Sequence, residues 1–222
     1  MDMVWGRSVP KDASRSLETC VWLLRRQLEA GSGGHQLVRT ERGAYRLAIE
    51  HAVLDLDRFD HLVDQAERRA GPGRRSALEN ALELVRGDVL EDEPYAEWAI
   101  RLREDYRRRF LHTLQDAAEA ALACGDLPAA LRHAERAITE DPIAERGYAV
   151  AMIAAYASGR QDDALRVFER ARAALESELG VDPLPETRDL RFGIIEQRAW
   201  TDLLESWVTR ACDVGDHRAA GQ

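Results

Sequence analysis

The residues of this chain best suited to chemistry are arginines. Within "RSLETCVWLLRRQL" (15–28), Arg15, Arg25 and Arg26 carry planar guanidinium groups that can bond phosphate oxygens in pairs. Catalytic or ligand-holding patterns are not found: there is no GxxxxGK[ST], no GxGxxG after a strand, no HExxH and no GxSxG, and "GSGG" at 31–34 reads as a loop. His35, His51, His61, His112, His133 and His217 are scattered without ligand spacing, and Cys20, Cys124 and Cys212 form no CxxC pair. We therefore expect no enzyme activity, no cofactor and no metal.

The elements that must position those arginines follow from periodicity. Leu17, Val21, Leu24 and Leu28 fall on one stripe of a helix, whose burial is expected. Of the opposite face, Arg15, Arg25 and Arg26 can meet phosphate, whereas Cys20, Trp22 and Leu23 cannot. "EAGSGGHQ" breaks the helix, and "LVRTERGAYRLAI" places apolar and aromatic residues on both sides of "ERGA", as a hairpin does. The next helix, "LDLDRFDHLVDQAERR", has Asp55 or Asp57 as N-cap and is read as ending at "AGPG". A further stripe through Leu78, Leu82 and Val85 stops near Gly87, and a long helix runs from Pro94 to about Cys124. No period-2 pattern follows.

A self-similarity of 34 residues marks the second half. Gly125, Ala130, Leu131, Arg132, Glu135 and Arg136 recur as Gly159, Ala164, Leu165, Arg166, Glu169 and Arg170. This is the tetratricopeptide period, in which a glycine turns between two helices and small residues let them approach. The second unit lacks the closing proline: Glu176 stands there, and its helix is expected to run on to "ELGVDPLPE". Trp200, Leu203, Leu204, Trp207 and Val208 form the apolar side of a last helix, read as a cap over the repeats.

At 222 residues and a net charge of −9, the chain cannot wrap nucleic acid over its whole surface. Charge is unevenly divided: residues 1–50 sum to +2 and the remainder to −11, which confines any nucleic-acid contact to the first fifty. No apolar run approaches the roughly 18 residues of a spanning helix, and the N-terminus lacks an export signal, so a cytoplasmic location without membrane contact is expected.

"LDLDRF", "LVRGDVLEDEPYAEWA" and "DPIAERGYAVAMIAAYASGRQDDALRVFERARAALESELGVDPLPETRDL" resemble the bacterial transcriptional activator domain of the antibiotic-regulatory-protein (SARP) class, a tetratricopeptide-like module. The likeness covers roughly residues 52–192. In that class a response-regulator-type (OmpR/PhoB-like) winged helix precedes the module. "SRSLETCVWLLRRQLEAGSGGHQLVRTERGAYRL" is similar to its recognition helix and wing, and "VWGRSVPKDA" to the end of the helix before them. The winged helix is partial, the likeness lacking its N-terminal strands, its first helix and most of its second.

The resemblance implies an all-α fold of tetratricopeptide-like repeats preceded by a helix and a β-hairpin. Its domains are 1–50 (partial winged helix), 51–192 (activator domain) and 193–222 (capping helix or linker). It places Arg15 and Arg25 at phosphate or base contacts and Arg42 where the wing reaches the minor groove; Arg26, Arg39 and Arg46 complete the candidate DNA-binding set. Cys20, Trp22 and Leu23 stand where relatives often carry polar or basic groups facing the groove, and apolar side chains cannot make bidentate base contacts. The implied function is transcription regulation, with promoter DNA bound by residues 1–50 and RNA polymerase, another regulatory protein or a second copy contacted by the helical module. The alternative is a protein-interaction module, or a regulator fragment, that no longer binds DNA and works through the concave face of its repeats.

Overall fold

A computed structural model describes residues 10–29, 36–48, 53–92 and 95–207. The readings of residues 4–9, of the loop at 31–34, of His35, His51 and His217, of Cys212, and of Val208 onward lie outside those residues. The described elements run in the order α1 (Ala13–Glu29), β1 (Val38–Glu41), β2 (Ala44–Leu47), α2 (Asp55–Glu67), α3 (Gly71–Leu84) and α4 (Glu97–Ala123). They continue as α5 (Leu127–Glu140), α6 (Glu145–Ala157), α7 (Gln161–Leu179) and α8 (Pro185–Ile195), with helix again over 200–207. The all-helical expectation with one N-terminal hairpin holds.

Two compact units are present, one of Met1–His61 with Gly87–Asp105 and the other of Leu62–Arg86 with Tyr106–Gln222. In the first, the Asp12 carboxylate caps α1 by accepting the Arg15 N–H at 3.1 Å. The strands pair antiparallel, with Val38 opposite Leu47 and Glu41 opposite Ala44. Arg42 and Gly43 make the two-residue turn with φ of 50° and 79°, the left-handed pair that a tight hairpin of this twist requires. In the same unit Leu90 also has a positive φ, and Arg103 donates from Nε to the Val89 carbonyl at 2.9 Å, bracing that turn.

The second unit is built from the repeats. Gly125 and Gly159 adopt φ of 76° and 77°. At the first, the Asp126 N–H donates back to the Ala121 carbonyl at 3.0 Å; at the second, Arg160 donates to Ala155 at the same distance. Both turns thus end a helix with the same six-to-one bond, which needs a left-handed residue and so selects glycine. Ala130, Ala137, Ala164 and Ala171, the small residues of the repeat, are all buried, with Phe168 beside them. α7 runs through Glu176 and is stopped by Gly180 in the left-handed conformation.

α6 lies at the centre: all nine residues from Gly147 to Ala155 are buried. Its first two residues carry charge and are tied to neighbours. Glu145 accepts the Leu184 N–H at 2.9 Å and the Thr187 hydroxyl at 2.6 Å, closing the N-terminus of α8. Arg146 bonds Glu119 and donates to Asp116 at 2.5 Å, both on α4. Burial opposes its charge, but the hydrogen bond to Glu119 and the two carboxylate charges outweigh that and raise its pKa. Leu203 and Trp207 are buried in the same core, with Trp200 and Leu204 packed at its edge, as a cap requires. Gly193 admits that cap: a Cβ there would lie 2.3 Å from Leu203 Cδ2.

Three local expectations are corrected. "AGPG" does not end α2, which stops at Glu67; Gly71 and Pro72 begin α3, because proline lacks the N–H that a first helical turn leaves unbonded. Val85 is not helical but extended, capping α3 after Leu84. Leu24 does not share the burial of its stripe: Val21 is 8% exposed but Leu24 44%, because the side of α1 that carries Val21 and Arg25 is the one turned to the hairpin.

Substitution of the fully buried Met152 by alanine is expected to cost about 2–5 kcal/mol in chemical denaturation, by transfer and cavity terms together. Replacing Arg166 by alanine is expected to change stability by less than about 0.5 kcal/mol, since its pairs with Asp162 and Asp163 are exposed.

His133 supplies a pH dependence. Burial holds its pKa below the usual 6.5, with Nε2 buried and unbonded among the described residues. The unfolded chain takes up this proton first. Stability from this site is therefore full above pH 6.5 and is lost as pH falls from there through the lowered folded-state value. Urea titrations between pH 8 and 5 should show that decline, and His133→Gln should remove this site's contribution to its slope.

Candidate nucleic-acid interface

The candidate interface is built on α1 and the hairpin, both within the first unit. Residues 3.6 to a turn divide α1 into faces, each step turning about 100°. Arg15, Trp22 and Arg26 then share one face, and all three are exposed. Trp22 is 56% exposed and Leu23 48%, so large apolar groups do stand on the side open to a partner. The Arg26 guanidinium lies over the Trp22 ring at 5.6 Å, one helical turn apart, which orders both side chains. Arg15 leaves its carbonyl bonded to the Thr19 hydroxyl at 2.9 Å, while its side chain points outward.

Arg25 is separated from this set. Its Nε donates to the Val38 carbonyl at 2.9 Å and its Nη2 to the Thr40 hydroxyl at 2.7 Å. The guanidinium also stands 5.8 Å from the centroid of the Tyr45 ring. The side chains of Thr40 and Tyr45 share one side of the hairpin, being directly opposite each other, and Val38 offers its backbone carbonyl. Arg25 thus faces the hairpin and is half-buried.

The other side of the hairpin is basic. Arg39 and Arg46 are directly opposite each other across the strands, an arrangement that repels unless an anion lies near. Glu41 supplies one, 3.6 Å from Arg46, with both side chains well exposed. Arg42 occupies the turn itself and is exposed. The structure therefore brings the sequence-derived arginines together in two groups: Arg15 and Arg26 on the helix, and Arg39, Arg42 and Arg46 on the hairpin. Arg25 joins the helix to the hairpin. Its placement has a sequence signal, since it falls one turn after Val21 on the inward side, but its acceptors, a backbone carbonyl and Thr40, do not.

Among the described residues no three His, Cys, Asp or Glu side chains gather as a metal site, and no helix is long and apolar enough to cross a membrane. Cys20, on α1, is exposed.

The family model described as the bacterial transcriptional activator domain matches residues 54–194. The chain is 32% identical over 211 residues to the transcriptional regulatory protein MoaR1 of Mycobacterium tuberculosis, covering 90% of this chain and 67% of that one. It is 33% identical over 211 residues to the regulatory protein AfsR of Streptomyces coelicolor, covering 88% of this chain and 20% of that protein. The solved structure of Mycobacterium tuberculosis EmbR in complex with a low affinity phosphopeptide superposes with a TM-score of 0.76 at 26% identity, over 96% of this chain and 59% of that chain. With a helical repeat module matched over most of its length and regulators among its relatives, the chain belongs to the bacterial transcriptional activator domain family, in the SARP class of transcriptional regulators.

Proposed function

We propose that the chain acts at promoter DNA, with α1 entering the major groove and the hairpin following the adjacent backbone, while the helical module contacts RNA polymerase or another regulatory protein. The observation that carries this reading is the outward arginine set. Arg15 and Arg26 on α1 and Arg42 and Arg46 on the hairpin are exposed, with the half-buried Arg39 opposite Arg46, and the two elements are held together through Arg25. Phosphates need such a localised basic footprint in a chain whose net charge is −9. Trp22 and Leu23 limit direct base readout, so contacts to phosphate dominate affinity. A second copy of the chain on a neighbouring site would supply the selectivity that one copy lacks.

The reading as a protein-interaction module alone has less support in the geometry. In a tetratricopeptide hairpin the first helix lines the concave face. Here that helix in the second unit, α6, is buried along nine consecutive residues and offers no surface to a peptide. A protein partner of the module is better placed on outward faces of α5 and α7, where Arg132, Arg136, Glu169 and Arg172 are exposed.

Fluorescence anisotropy of labelled duplexes from the promoter region, titrated at several salt concentrations, tests the DNA reading. Binding should weaken linearly in log–log form. Arg15→Ala and Arg42→Ala should each reduce the slope by about 0.9, the value of one phosphate contact, and Arg166→Ala should leave it unchanged. Flat traces for the unsubstituted chain at low salt would contradict the proposal.

A further inference from the structure

We propose that Arg25 is the positioning residue of the DNA reader: it clamps the hairpin to α1 and does not itself touch DNA. The inference rests on the DNA reading above and adds to it the device that fixes the two contacting elements relative to each other. A two-stranded hairpin is marginal on its own and needs an external tie. Arg25 provides one through two bonds in the plane of a single guanidinium, to the Val38 carbonyl at 2.9 Å and the Thr40 hydroxyl at 2.7 Å. The stacked Tyr45 ring, opposite Thr40 in the register, limits the third direction. One side chain therefore touches both strands. Val38 is buried, with its side chain on the same side of the hairpin as Thr40.

This geometry also occupies part of what a phosphate would need. With Nε and Nη2 donating to protein acceptors, the half-buried guanidinium has already committed its Nε–Nη2 edge, one of the paired-donor edges used in bidentate phosphate or guanine contacts. The exposed Arg46 and the half-buried Arg39 lie on the opposite side of the same strands, so rotation of the hairpin about α1 would move both, and Arg42 at the turn furthest of all. Loss of the clamp should thus degrade binding without removing a charge that meets DNA.

Arg25→Lys separates the roles, because lysine keeps the charge but cannot bond two acceptors in one plane. In salt-dependent anisotropy on the full chain, Arg25→Lys and Thr40→Val should each bind the promoter duplex roughly tenfold more weakly, as expected when a charge-assisted hydrogen bond is lost. The salt slope should stay that of the unsubstituted chain, and the double substitution should be no weaker than the stronger single one. Amide hydrogen exchange over residues 38–47, without DNA, should accelerate in both variants and remain unchanged in Arg15→Ala.

Two results would overturn the clamp. One is Arg25→Lys with native affinity and native exchange. The other is Arg25→Ala with a slope reduced by about 0.9, as for Arg15→Ala, which would make Arg25 a phosphate contact. Absence of salt-dependent binding by the unsubstituted chain sinks the DNA reading instead, and the clamp's part in recognition with it.

Discussion

The burial of α6 on every side is the constraint from which the helical module follows. A helix with nine successive buried residues cannot be amphipathic, and this one is made mostly of glycine, alanine and other apolar residues from Gly147 to Ala155. It must be enclosed, so α5 and α7 flank it as partners in the repeats and α8 closes against it. Its charged start sets its orientation. Glu145 reaches the N-terminus of α8 and Arg146 reaches Asp116 and Glu119 on α4, so adjacent residues hold the helix from two directions. Arg74 adds a further cation 3.5 Å from Asp116, and Arg75 bridges Glu79 to Asp126, the cap of α5. Polar ties thus surround an apolar centre, and the carboxylates among them, Asp116, Glu119, Glu145 and Asp126, all have protein partners.

The unit carrying α1 and the hairpin is held by different means. Its described apolar residues include Trp22, Leu23, Leu24, Tyr45 and Leu47, all substantially exposed, so hydrophobic burial contributes less there than in the repeats. Directional bonds do more of the holding: the Asp12 cap, the Arg103 brace under Leu90 and above all Arg25 against the hairpin. Such bonds fix angles more than they add stability, since the net gain of a hydrogen bond is only about 1 kcal/mol. A reader suits that division, needing precise relative placement of two basic elements and tolerating low local stability.

Much of the module was legible in the sequence because its signals are local. The 34-residue recurrence of Gly125 at Gly159 reports a backbone requirement that few residues other than glycine meet, and the alanines follow from close packing. "AGPG" is ambiguous in the sequence because glycine and proline punctuate a chain without saying which side of the break is helical; only the missing N–H of Pro72 favours a helix start. The bonds of Glu145 to Leu184 and Thr187 span about forty residues and leave no periodic trace. Arg25 shows the same limit at the candidate site. Periodicity places it beside Val21, on the inward side, yet composition alone groups it with Arg15 and Arg26, and the carbonyl that claims it belongs to a strand thirteen residues away.

The central claim is that α1 and the hairpin meet DNA as one pair held by Arg25. The most direct measurement is a structure of the chain bound to a promoter duplex. The account predicts α1 in the major groove with Arg15 and Arg26 on phosphates, Arg42 at the adjacent backbone, and Arg25 still bonded to Val38 and Thr40. A complex in which the duplex lies against α5 to α8, or in which Arg25 has left the hairpin for a phosphate, would contradict it.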